Sequence, residues 1–197
     1  MSIPWQPKTP PKPLIPALPQ VLALPANAPT RAIQMLTVDP YYPRDHALRM
    51  QGMAAAIASQ AGVRLSFPQI ADFLMPAWIN FTEDMLPSVR NYAKQHTNHV
   101  VLLVKTIFIS RPTDTRFVGG LGGSRFSIIA AVSCDTVLAH ELGHAAGLPH
   151  LDIDGNFMHG RSCGGAEMGV NQAAALRAWA GKSAGARVVD DEKVWVC

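Results

Sequence analysis

The hydrophobic pattern separates a proline-broken start from a body in which apolar runs change period several times. Arg31 to Val38 (RAIQMLTV) is short, apolar and partly β-branched, and Asp39-Pro40 with Pro43 closes it, so a first strand is predicted there. From Arg44 to Gln60 the spacing turns helical, with Leu48, Met53 and Ile57 set among alanines and Gly62 as the stop. Val63 to Phe67 reads as a second strand. Residues 68–98 alternate poorly, Pro76 and Pro87 bar a long helix, and only a short helix over Ser88–His96 is predicted. Val100 to Ile109 (VVLLVKTIFI) is nearly all apolar and β-branched, which reads as one central strand buried on both faces. Phe126 to Val132 is a further strand, and a helix follows directly, capped by Ser133 or Asp135. Asn171 to Ala180 reads as a closing helix with Asn171 as cap and Leu176 and Trp179 on its apolar stripe. After a polar tail from Lys182, Val194-Trp195-Val196 reads as a last docked segment.

Composition sharpens the division at the start. Residues 1–30 hold nine of the sixteen prolines, a density that favours extended polyproline II and cannot build a packed core. The expected organisation is a tail or linker over 1–30, lying on the surface or shielding the cleft, and one domain over 31–197. At 48% hydrophobic and 16% charged residues, the chain can bury a core. The formal charge is +3, and Lys8 and Lys12 of the tail supply two of those charges, which leaves no clustered basic face for nucleic acid. No stretch reaches the roughly 18 apolar residues of a membrane span. The first lysine is Lys8 and prolines interrupt every early apolar run, so a Sec signal peptide is not expected. Three expectations follow: the chain is cytoplasmic, is exported by another route, or is a fragment of something longer. His46, His96 and His99 read as ordinary surface or capping residues. Cys134, Cys163 and Cys197 make an odd count; a Cys134–Cys163 bridge is possible, and so are small buried thiols.

The chemistry concentrates in His140-Glu141-Leu142-Gly143-His144-Ala145-Ala146-Gly147-Leu148-Pro149-His150. On a helix, positions i and i+4 share a face, so His140 and His144 can turn both rings to one metal ion. Glu141 stands beside the first ligand, where its carboxylate can reach a water on the metal. Gly147 suits a left-handed helix stop, after which the chain can turn back and deliver His150 as a third nitrogen. Three imidazoles favour one Zn2+, and three protein ligands with an open fourth position mark a catalytic rather than a structural site. The implied reaction is peptide hydrolysis, with Glu141 as general base and then acid. The run Gly119-Gly120-Leu121-Gly122-Gly123 lacks the Lys-Ser/Thr of a phosphate loop and the spacing of a dinucleotide fingerprint, and reads as a flexible rim or bulge of the cleft.

HELGHAAGLPH resembles the HExxHxxGxxH motif of the metzincin zinc peptidases, the clan of matrixins, astacins and adamalysins. A second likeness is Gly155-Asn156-Phe157-Met158-His159-Gly160, which supplies a methionine eight residues past His150, where that clan has its Met-turn. The resemblance covers about residues 100–180 and departs from the familiar subfamilies. Leu151 follows the third His where they carry Ser, Glu or Asp, and Gly160 stands where astacin-like enzymes have a tyrosine. It implies an α/β (α+β) zincin fold with a twisted, mostly parallel sheet, a backing helix over 44–60, the active-site helix and a small C-terminal subdomain. The upper subdomain would span about 31–147 and the lower about 148–197, with Met158 flooring the site and Arg161–Gly165 in the wall of a substrate pocket. It also implies a protein or peptide substrate extended along an edge strand, assigned to residues 117–127, and a monomer is favoured. Two rivals stay open. One is a delivered toxin or effector peptidase with a specific protein or cell-wall peptide as target. The other is an inert zinc-holding module in which Asp152, Asp154 or Cys163 fills the fourth position.

Overall fold

Val100–Val104 carry no polar side chain, so both faces of that segment need cover, and in the computed structural model both have it. The structure describes residues 20–73, 75–111, 114–160, 165–182 and 194–196. In chain order the elements are β1 (Thr30–Thr37), α1 (Arg44–Gln60), β2 (Arg64–Ser66), β3 (Ala71–Asp72), β4 (Asn80–Thr82), α2 (Leu86–Lys94), β5 (His99–Val104), β6 (Thr106–Arg111) and β7 (Asp114–Val118). They continue with β8 (Gly120–Gly122), β9 (Phe126–Ala130), α3 (Val137–Ala145), α4 (Val170–Gly181) and β10 (Trp195–Val196).

The main sheet runs β10-β8-β9-β5-β1-β2, with β3 also beside β1. β1, β5 and β9 are mutually parallel, in a register that sets Met35 against Val101 and Val101 against Ser127. β2 and β3 extend β1 in parallel, whereas β8 lies antiparallel to β9 and β10 antiparallel to β8. Alternation along β5 feeds two cores. Val101 and Leu103 join a cluster with Ile33, Met35, Met50, Ile57, Leu138, Leu142 and Trp179, on the side of α1, α3 and α4. Val100, Leu102 and Val104 join Phe81, Val89, Ile107, Leu121 and Ile128 on the other side. This mixed α/β architecture, with parallel strands and helices packed on the sheet, is the fold class expected.

Several boundaries differ from the sequence reading. The predicted strand Val100–Ile109 is two strands in two sheets, because exposed Lys105 cannot stand in a strand buried on both faces. The chain bends there, and Lys105 N–H donates to Ile79 O. β6 then pairs with β4 and β7 in a second, three-stranded sheet. On α1 the buried stripe runs through Ala47, Met50, Met53, Ala54, Ile57 and Ala58, so Leu48 is left 56% exposed. The short helix α2 begins two residues early, with Pro87 in its first turn, where a missing N–H costs nothing. His99 and His46 are buried, not surface, residues. The glycine run forms a regular strand, β8, instead of a flexible rim.

The end of the proline-rich segment lies against the body: Leu22 N–H donates to Ser59 Oγ, and the Arg64 guanidinium donates to the carbonyl of Pro25. Residues 1–19 fall outside the described set. Among the described residues no helix is long and apolar enough to cross a membrane.

Candidate metal centre

α3 carries the first half of the motif, and every residue of it from Val137 to Ala145 is buried. No side chain caps its start. Thr136 is the N-cap residue, while Ser133 Oγ donates to Ala130 O and Asp135 accepts from Arg49 at 3.1 Å, so neither expected cap operates. Asp135 also lies 3.5 Å from His46 Nε2, and His46 Nδ1 meets the Tyr42 hydroxyl at 3.4 Å, which ties the approach to α3 onto α1. The other end closes in a Schellman turn. Gly147 has φ +87, Gly147 N–H donates to His144 O and Leu148 N–H donates to Gly143 O at 3.0 Å. A side chain at 147 would be strained in that conformation, so the glycine of the motif sets the angle at which His150 returns.

The three imidazoles meet. His150 Nε2 lies 3.0 Å from His144 Nε2 and 3.1 Å from His140 Nε2, and all three ligand atoms fall within 4.8 Å of one another. His140 Nδ1 contacts the carbonyl of Phe157 at 2.8 Å, and His144 Nδ1 that of Leu148 at 2.8 Å. A carbonyl only accepts, so each Nδ1 holds the proton and each Nε2 presents a lone pair to the centre. A single N–H on His150 could not line up with both neighbours. Three converging nitrogens are therefore held together best by a cation. Tetrahedral zinc at about 2.0–2.1 Å from each nitrogen needs N···N separations of about 3.3–3.4 Å, a few tenths of an ångström wider than those present. Burial, more than any neighbour, lowers His140 to a pKa of about 4, the Phe157 carbonyl opposing; burial lowers His150 as well. Neutral rings at pH 7 are the form that binds a metal. The donor set and its geometry fit one Zn2+.

Glu141 is 0% exposed, and two glycines of β8 lie on it. A Cβ at Gly120 would collide with Glu141 Oε1, and one at Gly122 with Oε2. These glycines are required for space, not for backbone freedom. Met158 is fully buried under the helix, and Gly143 leaves room for its sulfur, since a Cβ there would strike Met158 Sδ and Phe157. Met158 thus lies against α3, beside Gly143. The turn that carries Met158 is fixed by Asn156, a residue the sequence reading used only as part of the turn. Asn156 Oδ1 accepts from Met158 N–H at 2.9 Å and from Gln172 Nε2, while Asn156 Nδ2 donates to Gln172 Oε1 in the same buried pair of carboxamides. Gln172 Oε1 also accepts from Gly169 N–H, so Gln172 and not Asn171 organises the start of α4. The available sequence signal is a glutamine on an Ala-rich helix whose other polar residues are Asn171 and Arg177.

Asp152 and Asp154 do not enter the cluster; both are exposed and face His159, at 3.5 and 3.7 Å. Cys134 is disulfide-bonded, while Cys163, Cys197 and Arg161 lie outside the described residues. Strand β8 runs above α3 within the predicted edge segment 117–127. One of its edges is paired with β9 and the other with β10. Trp195 of β10 stacks on His144 at 4.7 Å between ring centroids, with 3° between the planes.

The sequence profile of the Peptidase M66 family matches residues 82–173, a segment that contains all three histidines, Glu141 and Met158. No curated protein matches the chain. Among solved structures, archaemetzincin from Methanopyrus kandleri superposes with a TM-score of 0.55 at 14% identity, over 80% of this chain and 98% of that one. A zinc-dependent peptidase from Methanocorpusculum labreanum gives 0.52 at 16% identity, over 73% and 99%. Metalloproteinase-II from Bacteroides fragilis gives 0.53 at 15%, over 84% of this chain and 58% of that one. At such identities the likeness is one of fold. The chain is similar to zinc metallopeptidases both in the segment that carries its histidines and in its architecture.

Proposed function

We propose that the chain is a zinc-dependent endopeptidase of metzincin type, with His140, His144 and His150 as ligands and Glu141 as general base and acid. The observation that carries the reading is three imidazole lone pairs converging beside a buried carboxylate, with no fourth side chain in the group among the described residues. That last feature favours turnover over an inert zinc module, since Asp152 and Asp154 face away toward His159. Zinc bound there supplies a Lewis acid that makes water more acidic and polarises a scissile carbonyl. The protein's own part is orientation. The Phe157 and Leu148 carbonyls fix the tautomers of His140 and His144, and Met158 supports the helix from below. Glu141, held down by β8, takes the proton of the attacking water and returns it to the leaving amine. The substrate is an extended peptide pairing with the outer edge of β8, so recognition rests on backbone hydrogen bonds.

The test is Glu141→Ala against wild type, each with zinc content measured and assayed on a mixture of quenched peptides. Zinc should remain stoichiometric while turnover falls by at least about 10²-fold. Equal turnover by the variant would remove Glu141 from the mechanism, and a zinc-free wild type would remove the site.

A further inference from the structure

A strand has two edges. The inner edge of β8 is taken by β9, so a peptide that pairs with β8 must use the edge where β10 lies. β10 sits there antiparallel, with Trp195 opposite Gly122 and Val196 opposite Leu121. Its side chains alternate as those of a bound peptide would. Val194 and Val196 pack on the cluster containing Leu121 and Phe126. Trp195 points to the opposite face, where its indole stacks on His144 and stands edge-on to His150 at 6.2 Å. The segment therefore covers two of the three histidines and the edge that the proposed function assigns to substrate.

We propose that the groove beside β8 is occupied in the resting chain by its own residues Val194–Val196, and that Trp195 fills a subsite built for an aromatic side chain over His144. This rests on the peptidase reading only in calling the groove a substrate groove; the occupancy itself is a binding claim. It sets the substrate class as extended peptides with an aromatic residue flanked by apolar ones, competing with the chain's own strand. It also makes the chain its own competitive inhibitor.

Two measurements test this on the full-length protein and its Trp195→Ala and Trp195→Phe variants. The first is hydrogen exchange at the Gly122 amide, which faces the β10 edge whereas those of Leu121 and Gly123 face β9, together with binding of the acetylated, amidated peptide Val-Trp-Val. Exchange should quicken in Trp195→Ala, be largely spared in Trp195→Phe, and slow again when the peptide is added; Val-Ala-Val should have no effect. The second is steady-state hydrolysis of peptides with Trp or Ala at the central position. With the groove self-occupied about nine-tenths of the time, KM should fall by about tenfold in Trp195→Ala while kcat is kept. Val-Trp-Val should inhibit that variant competitively. Unchanged amide exchange and unchanged KM in Trp195→Ala would overturn the proposal even if the protein is a good peptidase. Exchange and peptide binding that respond as described, in a zinc-loaded chain that cleaves nothing, would instead sink the peptidase reading and leave the occupancy standing.

Discussion

Gly122→Ala isolates the claim that β8 holds Glu141 in its working position. The new methyl would fall on Glu141 Oε2 while standing 3.3 Å from His144 Cβ and 3.4 Å from the Glu141 carbonyl oxygen. Glu141 is 0% exposed, so the carboxylate has no solvent-filled space into which to withdraw. Restoring a normal van der Waals separation needs a displacement of roughly 1 Å, by the side chain or by β8. Overpacking of this kind costs about 1–3 kcal/mol of stability. A misplacement of about 1 Å at a catalytic group costs on the order of 10²-fold in turnover. Gly119→Ala is the internal control, because its Cβ would meet Ser133 alone, at ordinary distances of 3.5 Å to Cβ and 3.9 Å to Cα. The assay is kcat on a quenched peptide, with zinc content and thermal midpoint recorded for each variant. Gly122→Ala should keep its zinc and lose about a hundredfold in kcat, with Gly119→Ala within about twofold of wild type. A zinc-loaded Gly122→Ala with wild-type turnover, or equal losses in both variants, would refute the reasoning.

Asn156→Ala should destabilise the fold by about 2–4 kcal/mol in chemical denaturation, because the Gln172 carboxamide and the Met158 N–H both lose their acceptor in a buried place. His99 is fully buried against Trp179 and Ser127, and burial, helped by the charge of Arg31, lowers its pKa from 6.5 to about 3. The unfolded chain therefore binds the extra proton first, and stability is lost as pH falls from 6.5 towards 3. The slope from this residue is about 1.4 kcal/mol per pH unit, and His99→Leu should flatten the pH dependence of unfolding by that amount. An unchanged slope would place the acid sensitivity elsewhere. Zinc at a hundredfold excess over its dissociation constant should add about 2.7 kcal/mol to stability, read as a rise in thermal midpoint that a chelator abolishes.

Local sequence determined the convergence of the three histidines, because the HExxH spacing, a glycine in the left-handed region and the return to His150 are consequences of helix pitch and turn chemistry within eleven consecutive residues. It also determined α1, β1 and β9 to within about two residues, since each is a periodic run bounded by a breaker. Tertiary structure decided the rest. Lys105 split one apolar run between two sheets, since a charged side chain had to reach solvent. His99 was buried because β5 lies under α4, and Leu48 was exposed because α1 turned a different stripe to the core. Neither periodicity nor composition could show that Gly120 and Gly122 lie against Glu141, that Asn156 grips Gln172, or that Trp195 comes to rest on His144. Those contacts join segments 16 to 51 residues apart, and only the packing of the finished sheet and helices brings them within reach.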